Sequence, residues 1–297
     1  MKAGIILPSY LAEKTIASVL ADIRDFGSAE ISEILIIDNC SEDQSINAAI
    51  DAVRQDPYLA DRVRVLVNRR NYGYGSSIKL GMMYFLGRDV DYVGILHADY
   101  QVSPAHILGN YLKELSGNDA DVVLSSRFTE GSDISHYSPI RRIGNYFFNT
   151  LTWGLSGYRM SDAGTAMFMA KREILAALPI GSLSNTWHFH PQLNILFHQV
   201  KGIRIVETQM DWSDSEAPTT VKLVQYGLTL VKILALFFVK KSVLRLDSGR
   251  WFRPQALPED CQTTSRYPVP GTFAGQEQPS FIPGPDGRLH ERVAVPA

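Results

Sequence analysis

An imidazole, a carboxylate and a carboxamide stand at alternate positions in the stretch GILHADYQVSP, residues 94–104: His97, Asp99 and Gln101. Gly94, Ile95 and Leu96 before them read as the end of a buried strand, and Pro104 closes the turn after them. Side chains alternate faces along extended backbone, so three residues at period two can converge on one point. Convergent oxygen and nitrogen donors at a strand end suit a divalent metal. They suit a plain polar turn as well, and the elements around them have to discriminate.

Those elements alternate from the N-terminus onward. AGIILPSY is a strand that ends at a Pro-Ser turn, and AEKTIASVLADIRDF places Ile16, Val19, Leu20 and Ile23 at helical spacing. SEILIIDNCSED and QSINAAIDAVRQ repeat the pair. VRVLVNRRNYGYG is followed by SSIKLGMMYFLG, DYVGILHADYQ by AHILGNYLKELSG, and ADVVLSSRF is a fifth strand. This rhythm predicts an α/β fold with a mainly parallel sheet covered on both faces. In such sheets ligands gather beyond the carboxyl ends of the strands. Every strand has polar residues there: Ser9-Tyr10, Asp38-Asn39, Asn68-Arg69, His97-Asp99-Gln101 and Ser125-Ser126-Arg127. One coincidence would be noise, but five in succession point to a site. From Gly144 to about Ile174 the pattern is less regular, and KGIRIVETQMDWSD reads as a last strand.

The chain's 297 residues allow one large α/β domain, alone or with appendages. It is 45% hydrophobic and 20% charged, ordinary for a globular protein, and its net charge of −2 offers no general attraction to nucleic acid. Cys40 and Cys261 make neither a metal spacing nor a disulfide framework, which fits a reducing compartment. The apolar run before Pro8 is too short for a signal peptide, so a cytoplasmic location is expected. KLVQYGLTLVKILALFFVKK is the most hydrophobic stretch, yet its unbroken apolar core is well short of the roughly 20 residues that span a membrane. Two readings stay open for it. One is a helix lying in the membrane interface, with Lys222, Lys240 and Lys241 toward head groups; the other is a core helix or a homo-oligomer interface. Beyond Arg250 the Pro- and Gly-rich sequence has no packable pattern and reads as an extended tail. The expected boundaries are 1–222 for the α/β domain, 223–245 for the hydrophobic amphipathic helix and 246–297 for the tail.

Several chemistries lose their support. PSYLAEKT after the first strand is no glycine-rich dinucleotide loop, no P-loop sequence occurs, and SSRF is no nucleophile elbow. The remaining pattern resembles the family 2 glycosyltransferases of the Rossmann-like GT-A fold, in particular their polyprenyl-phosphate, dolichol-phosphate mannosyltransferase-like branch. ILPSYLAEKTI, EILIIDNCSEDQS, NRRNYGYGSSIKLGM, ILHADYQVSP, DVVLSSRF and IRRIGNYFFNTL with SDAGTAMFMAKREIL carry the resemblance, in the family's order, over roughly residues 3–240.

The resemblance implies a nucleotide-diphosphate sugar as donor, linked to UDP, GDP or dTDP, and Mg²⁺ or Mn²⁺ as cofactor. It implies that Pro8, Tyr10 and Glu13 line the nucleotide pocket and that Asp38 hydrogen-bonds the base or ribose. Asn68, Gly75 and Ala98 count with the donor site, and Lys79 stands on the helix behind the NYGYGSSIKLG loop. Asp99 is the central metal-binding acid, with Gln101 following it and His97 at the position of the family's first acid. Arg127 and the Arg141-Arg142 pair sit where that branch holds an acceptor phosphate. Asp162 lies near the donor sugar. The chain departs from the family in three places: His97 itself, AGTAMF in place of Ser-Gly-Phe-Arg, and NTWHFHPQLN where relatives carry an acidic pair.

The chemistry of these roles is general. Cleaving a sugar–diphosphate bond requires neutralising the leaving diphosphate, and inversion requires an in-line nucleophile on the opposite face. A phosphate nucleophile is already ionised and needs no base; arginine forks match its oxygens. A hydroxyl or amine acceptor would need a base, with Asp162, His188 or His190 as candidates. The leading expectation is therefore sugar transfer to a polyprenyl phosphate, with peripheral membrane contact. The alternatives are a soluble transferase for a small or carrier-bound acceptor, and an inactive GT-A-like binding protein. The three histidines of WHFHPQLNILFH are expected to pack or touch the donor rather than bind zinc.

Overall fold

Consecutive residues of the first strand, β1 (Ala3–Ser9), send Ile5 and Leu7 to one face and Ile6 to the other, and all three are fully buried. This two-sided burial is what a central strand of a covered sheet requires. In the computed structural model, residues 1–213, 223–253, 255, 257, 281–283 and 289–291 are described. β1 pairs in parallel with β2 (Ile31–Asp38) and β4 (Tyr92–Ile95), and β2 pairs in parallel with β3 (Val63–Val67). β5 (Val122–Ser126) runs parallel to β7 (Ile205–Gln209), while β6 (Phe168–Lys171) lies antiparallel between β4 and β5. The sheet order is β3-β2-β1-β4-β6-β5-β7.

Helices α1 (Ile16–Phe26), α2 (Ser45–Arg54), α3 (Pro57–Arg62) and α5 (Pro104–Gly117) cover one face. α4 (Tyr74–Leu86), α7 (Arg172–Ala177), α8 (Phe189–Gln199) and α9 (Leu223–Phe238) cover the other, with α6 (Pro139–Ser156) packed beside α9. The mainly parallel, helix-flanked sheet is the expected one. Several elements escape the sequence pattern, α3, β6 and α7 among them. α3 is a single capped turn, with the Asp56 side chain accepting the Leu59 N–H and Pro57 at its first position. β6 and α7 are too short for a period to show.

One face of α9 belongs to the core and the other is exposed. Leu230, Leu234 and Phe237 are buried in the core, whereas Val224, Leu228, Val231 and Leu236 are exposed. One turn of wider helix, Val239–Val243, follows. The tail differs from expectation at its start. Trp251 and Phe252 are buried, their rings 5.1 and 5.8 Å from that of Phe237, because two adjacent aromatics suffice to anchor a chain that lacks any period. Lys222, Cys261 and the tail from residue 258, apart from a short hairpin pairing Phe281–Pro283 with Leu289–Glu291, lie outside the described residues.

Candidate active site at the strand ends

β1, β2 and β3 end side by side, so their polar residues meet. Asp38 is buried at the end of β2, accepting the Ser41 hydroxyl at 2.6 Å and the Ser41 N–H at 2.8 Å. Burial raises its pKa and those two bonds oppose the rise. Asn39 gives its N–H to Ser9 O; its amide oxygen accepts from Asn68 (3.0 Å) and from the Tyr72 N–H (3.0 Å), and its amide nitrogen donates to Asn71 (2.9 Å). The Asn68 Oδ1 is buried without a partner. Glu13 accepts the Gln44 N–H at the start of α2, and Pro8 is buried in β1 while Tyr10 is exposed beyond it.

The loop before α4 is pressed against residues 184–186. Gly73 has φ +91°, and a Cβ at Gly73 or Gly75 would strike the Asn185 or Ser184 carbonyl oxygen, so only glycine fits at either position. Between them, Tyr74 reaches across the site. Its hydroxyl lies 2.8 Å from His97 Nε2 and 2.9 Å from His190 Nε2, and its ring stacks on Trp187 with centroids 4.2 Å apart. His97 and Asp99 follow β4, both half-buried; Ala98 between them is buried and its carbonyl accepts the Thr15 hydroxyl at 2.6 Å. Burial lowers the pKa of His97, Asp99 raises it and Arg127 lowers it further; burial holds His190 well below the usual histidine range. The Gln101 N–H points to Asp99 Oδ1 at 3.4 Å.

Lys79, expected behind the loop, is 2% exposed. Its ammonium donates to Leu183 O, Asn185 Oδ1 (2.8 Å) and Gln255 O (2.7 Å), and burial brings its pKa down to about 7. All three protons are thus directed to carbonyl-type oxygens. Lys79 braces α4 against residues 183–185 and the start of the tail instead of facing the cleft.

On the other side of β4, Arg127 follows β5 and closes its guanidinium fork on Asp162, with Nε–Oδ2 2.7 Å and Nη2–Oδ1 2.8 Å. The Asp162 side chain is 0% exposed and that of Arg127 11%. Arg127 also donates to the Tyr137 hydroxyl at 3.1 Å and lies over the rings of Phe128, Tyr137 and Trp212. Asn145 of α6 donates to that hydroxyl too, and to Arg141 O. Asn149 of α6 accepts the Ala163 N–H, and Asn194 of α8 donates to Ala163 O and Thr165 O, so two helices fix the Asp162 loop. Arg127, expected where an acceptor phosphate is held, is ion-paired to Asp162 and forms a wall of the site. The Arg141-Arg142 pair lies in the first turn of α6, with Arg142 exposed.

The histidines of α8 and its entry do not meet as a cluster. His188 shares Nδ1 with the Thr186 hydroxyl and Nε2 with Tyr226 O, stacking on the Tyr226 ring at 4.5 Å, and His198 bonds Asn194 O. Among the described residues no three His, Cys, Asp or Glu side chains form a metal cage. Mg²⁺ and Mn²⁺ are commonly held by one or two carboxylates and completed by water and substrate phosphates. Asp99, half-buried at a strand end beside His97, fits that open kind of site.

Sequence reasoning missed Tyr74, Asn71 and Trp187. The available signal for Tyr74 was its place between two glycines in NYGYG; nothing in NTWHFH singles out Trp187.

Next to this site, α6 and α9 carry apolar side chains on their outer surfaces. Ile140, Ile143 (71% exposed) and Phe147 (57%) recur at helical spacing on α6, as do Val224, Leu228 (69%) and Val231 on α9. Among the described residues no helix is long and apolar enough to cross a membrane.

Residues 4–178 match the sequence profile of glycosyl transferase family 2. Two curated proteins named dolichyl-phosphate beta-glucosyltransferase are similar: the Mus musculus enzyme at 25% identity over 84% of this chain and 76% of its own length, and the Homo sapiens enzyme at 26% over the same shares. Among solved structures, glucosyl-3-phosphoglycerate synthase from Mycobacterium tuberculosis, in complex with Mn²⁺, UDP-glucose and phosphoglyceric acid, superposes with a TM-score of 0.58 at 16% identity, covering 80% of each chain. Mannosyl-3-phosphoglycerate synthase from Rubrobacter xylanophilus gives 0.60 at 15% identity, covering 98% of this chain and 86% of its own. These likenesses establish the shared fold.

Proposed function

We propose that this chain, which belongs to glycosyl transferase family 2, moves a sugar from a nucleotide-diphosphate donor to the phosphate of a polyprenyl phosphate, with inversion at the sugar carbon. The observation that carries this reading is that every candidate base is already engaged. Asp162 is locked in a buried bidentate pair, His188 is bonded through both ring nitrogens, and His190 is buried against Tyr74. A hydroxyl acceptor would need one of them free. A phosphate is its own nucleophile and needs none.

The donor end is read on the other half of the sheet, where Asp38, Asn39 and Asn68 offer fixed polar groups beside the Gly73–Gly75 loop and Asp99 would hold Mg²⁺ or Mn²⁺. When bound, the cation neutralises charge on the leaving diphosphate. The chain's own residues orient and exclude: the Tyr74–Trp187 stack walls the site, and Arg127, tied to Asp162, keeps a fixed positive charge near the developing negative one. Lipid linkage of the acceptor is supported by the named relatives and by the apolar outer surfaces of α6 and α9. Arg141 and Arg142 at the start of α6, and Lys232 and Lys240 in and after α9, suit the anionic face of a membrane, in a peripheral and cytoplasmic-side position.

A second reading keeps a phosphate-bearing acceptor and drops the lipid, since the Mycobacterium tuberculosis enzyme of this fold binds phosphoglyceric acid. Purified protein incubated with UDP-, GDP- and dTDP-sugars, Mn²⁺, and in turn polyprenyl phosphate, polyprenol and 3-phosphoglycerate separates the readings. Turnover with polyprenyl phosphate and none with polyprenol is expected. Turnover with 3-phosphoglycerate alone would favour the second reading, and turnover with polyprenol would refute the phosphate nucleophile. Asp99→Ala is expected to reduce turnover by about a hundred- to a thousandfold.

A further inference from the structure

Tyr74 has one hydroxyl proton and two imidazole neighbours, both approached through Nε2. It can donate to only one of them, so the other ring must donate to it. The ring that accepts the Tyr74 proton must offer a lone pair at Nε2, so it is neutral and keeps its own proton on Nδ1. The two histidines are therefore opposite tautomers: one is protonated at Nε2, the other at Nδ1.

His190 decides which is which. Its Nδ1 is buried with no hydrogen-bond partner, and the rings of Phe168 and Phe189 pack around it. A proton on that nitrogen would be a buried N–H without an acceptor, which is rarer in folded proteins than an unfilled acceptor. The proton of His190 then sits on Nε2 and is donated to the Tyr74 oxygen. The Tyr74 hydroxyl in turn donates to His97 Nε2, and His97 keeps its own proton on Nδ1. Unlike that of His190, the Nδ1 of His97 is not among the buried atoms left without a partner.

We propose that His97 acts as a hydrogen-bond donor, through Nδ1–H, to an oxygen of the donor's diphosphate, with Tyr74 and His190 as the positioning residues that fix its tautomer. The cation is then left to Asp99. This deepens the nucleotide-sugar reading and rests on it. It also changes what the histidine at position 97 means: a ring whose Nε2 is filled and whose Nδ1 is protonated has no lone pair for a metal. A neutral N–H at this point replaces a carboxylate that would repel the diphosphate.

The assignment of the proton can be measured in the free protein, independently of any substrate. Long-range ¹H–¹⁵N spectra of histidine-labelled protein should show His97 protonated at Nδ1 and His190 at Nε2, with the His97 preference lost in Tyr74→Phe. A His97 protonated at Nε2 would overturn the proposal. The role is then tested with UDP, GDP and dTDP as probes, in chelator and in Mn²⁺. His97→Asn, whose amide N–H occupies nearly the place of Nδ1–H, should retain nucleotide affinity in chelator, whereas His97→Leu should lose about tenfold. If His97→Leu binds normally in chelator and is impaired only with Mn²⁺, or if pulsed electron paramagnetic resonance shows an imidazole nitrogen bonded to Mn²⁺, His97 is a ligand and the proposal fails. Binding of none of the three nucleotides would overturn the nucleotide-sugar reading itself, and the free-protein spectra tell that failure apart from a wrong tautomer.

Discussion

The two halves of the sheet solve the same problem, polar residues at strand ends, with different chemistry. In β3-β2-β1-β4 every strand is parallel and comes from consecutive strand–helix units. There the ends are joined by shared amides of Asn39, Asn68 and Asn71, and the Asp38 carboxyl holds its own loop through Ser41. In β6-β5-β7 the order is broken by an antiparallel strand, and the ends are joined by a buried ion pair, aromatic rings and helices. The first half is a polar cradle made by chain continuity. The second is a wall assembled from distant segments and flanked by exposed apolar helices. Under the proposed function, the first half would take the nucleotide and the second the acceptor.

The largest test of the contrast lies on α9, where the same substitution should have opposite results on the two faces. Leu234 is 0% exposed. Leu234→Glu buries an unpaired carboxylate and is expected to destabilise by about 4–5 kcal/mol or more, unfolding the domain under ordinary conditions. Leu228→Glu, on the outer face, should change stability by no more than about 0.5 kcal/mol and yet abolish sedimentation with anionic liposomes. Chemical denaturation and a liposome pelleting assay measure the two effects. Unchanged pelleting of a double Ile143→Glu, Leu228→Glu protein would remove the lipid role of this face.

A somewhat smaller effect separates the ion-paired wall from the polar cradle. Asp162→Ala leaves the Arg127 charge partly buried and unpaired, which should cost about 3–5 kcal/mol in denaturant unfolding. The combined Arg127→Met, Asp162→Leu protein should be more stable than either single variant, since no uncompensated charge remains. If the single variants cost less than about 1 kcal/mol, water reaches the pair and the wall is not the desolvated element described here. Asn39→Ala in the cradle, which orphans neutral partners, should cost only about 1–3 kcal/mol.

The same contrast governs what could be read from the sequence. Strands β1 to β5, helices α1, α2, α4 and α5 and the convergence of strand ends follow from apolar runs that end in polar turns and alternate with segments of helical spacing. β6 has four residues and no alternation to detect; its antiparallel entry between β4 and β5 is set by tertiary packing. Arg127 and Asp162 could be picked out singly, but not that they close on each other, since their pairing depends on Asn149 and Asn194 holding the loop between. Which face of α9 is covered was illegible for the same reason: an all-round apolar helix does not declare it, so the burial of Leu234 and Phe237 came only from the fold. Asp99 was legible from residue type and spacing; Tyr74, whose role exists only through two histidines 23 and 116 residues away, was not.

Lys79 joins the halves, and its titration gives the finest test. It stands on α4, at the cradle, but its ammonium is held by Leu183, Asn185 and Gln255, which belong to the other side and to the start of the tail. Burial brings its pKa from the ordinary 10.5 to about 7. Between those values the unfolded chain binds a proton at this site that the folded protein has released. Raising the pH through this window therefore favours the folded state, by about 1.4 kcal/mol per unit from this group alone. Below pH 7 both states are protonated and the contribution no longer changes. Lys79→Met removes the titration while keeping the length of the side chain. The stability difference between wild type and Lys79→Met should thus shift in favour of wild type by about 1.4 kcal/mol per unit between pH 7.5 and pH 9.5, with tyrosines and other groups cancelling in the difference. Urea unfolding at three pH values measures it. A flat difference would mean that the three oxygens hold the proton on Lys79 throughout, and that the brace between the halves is a charged one.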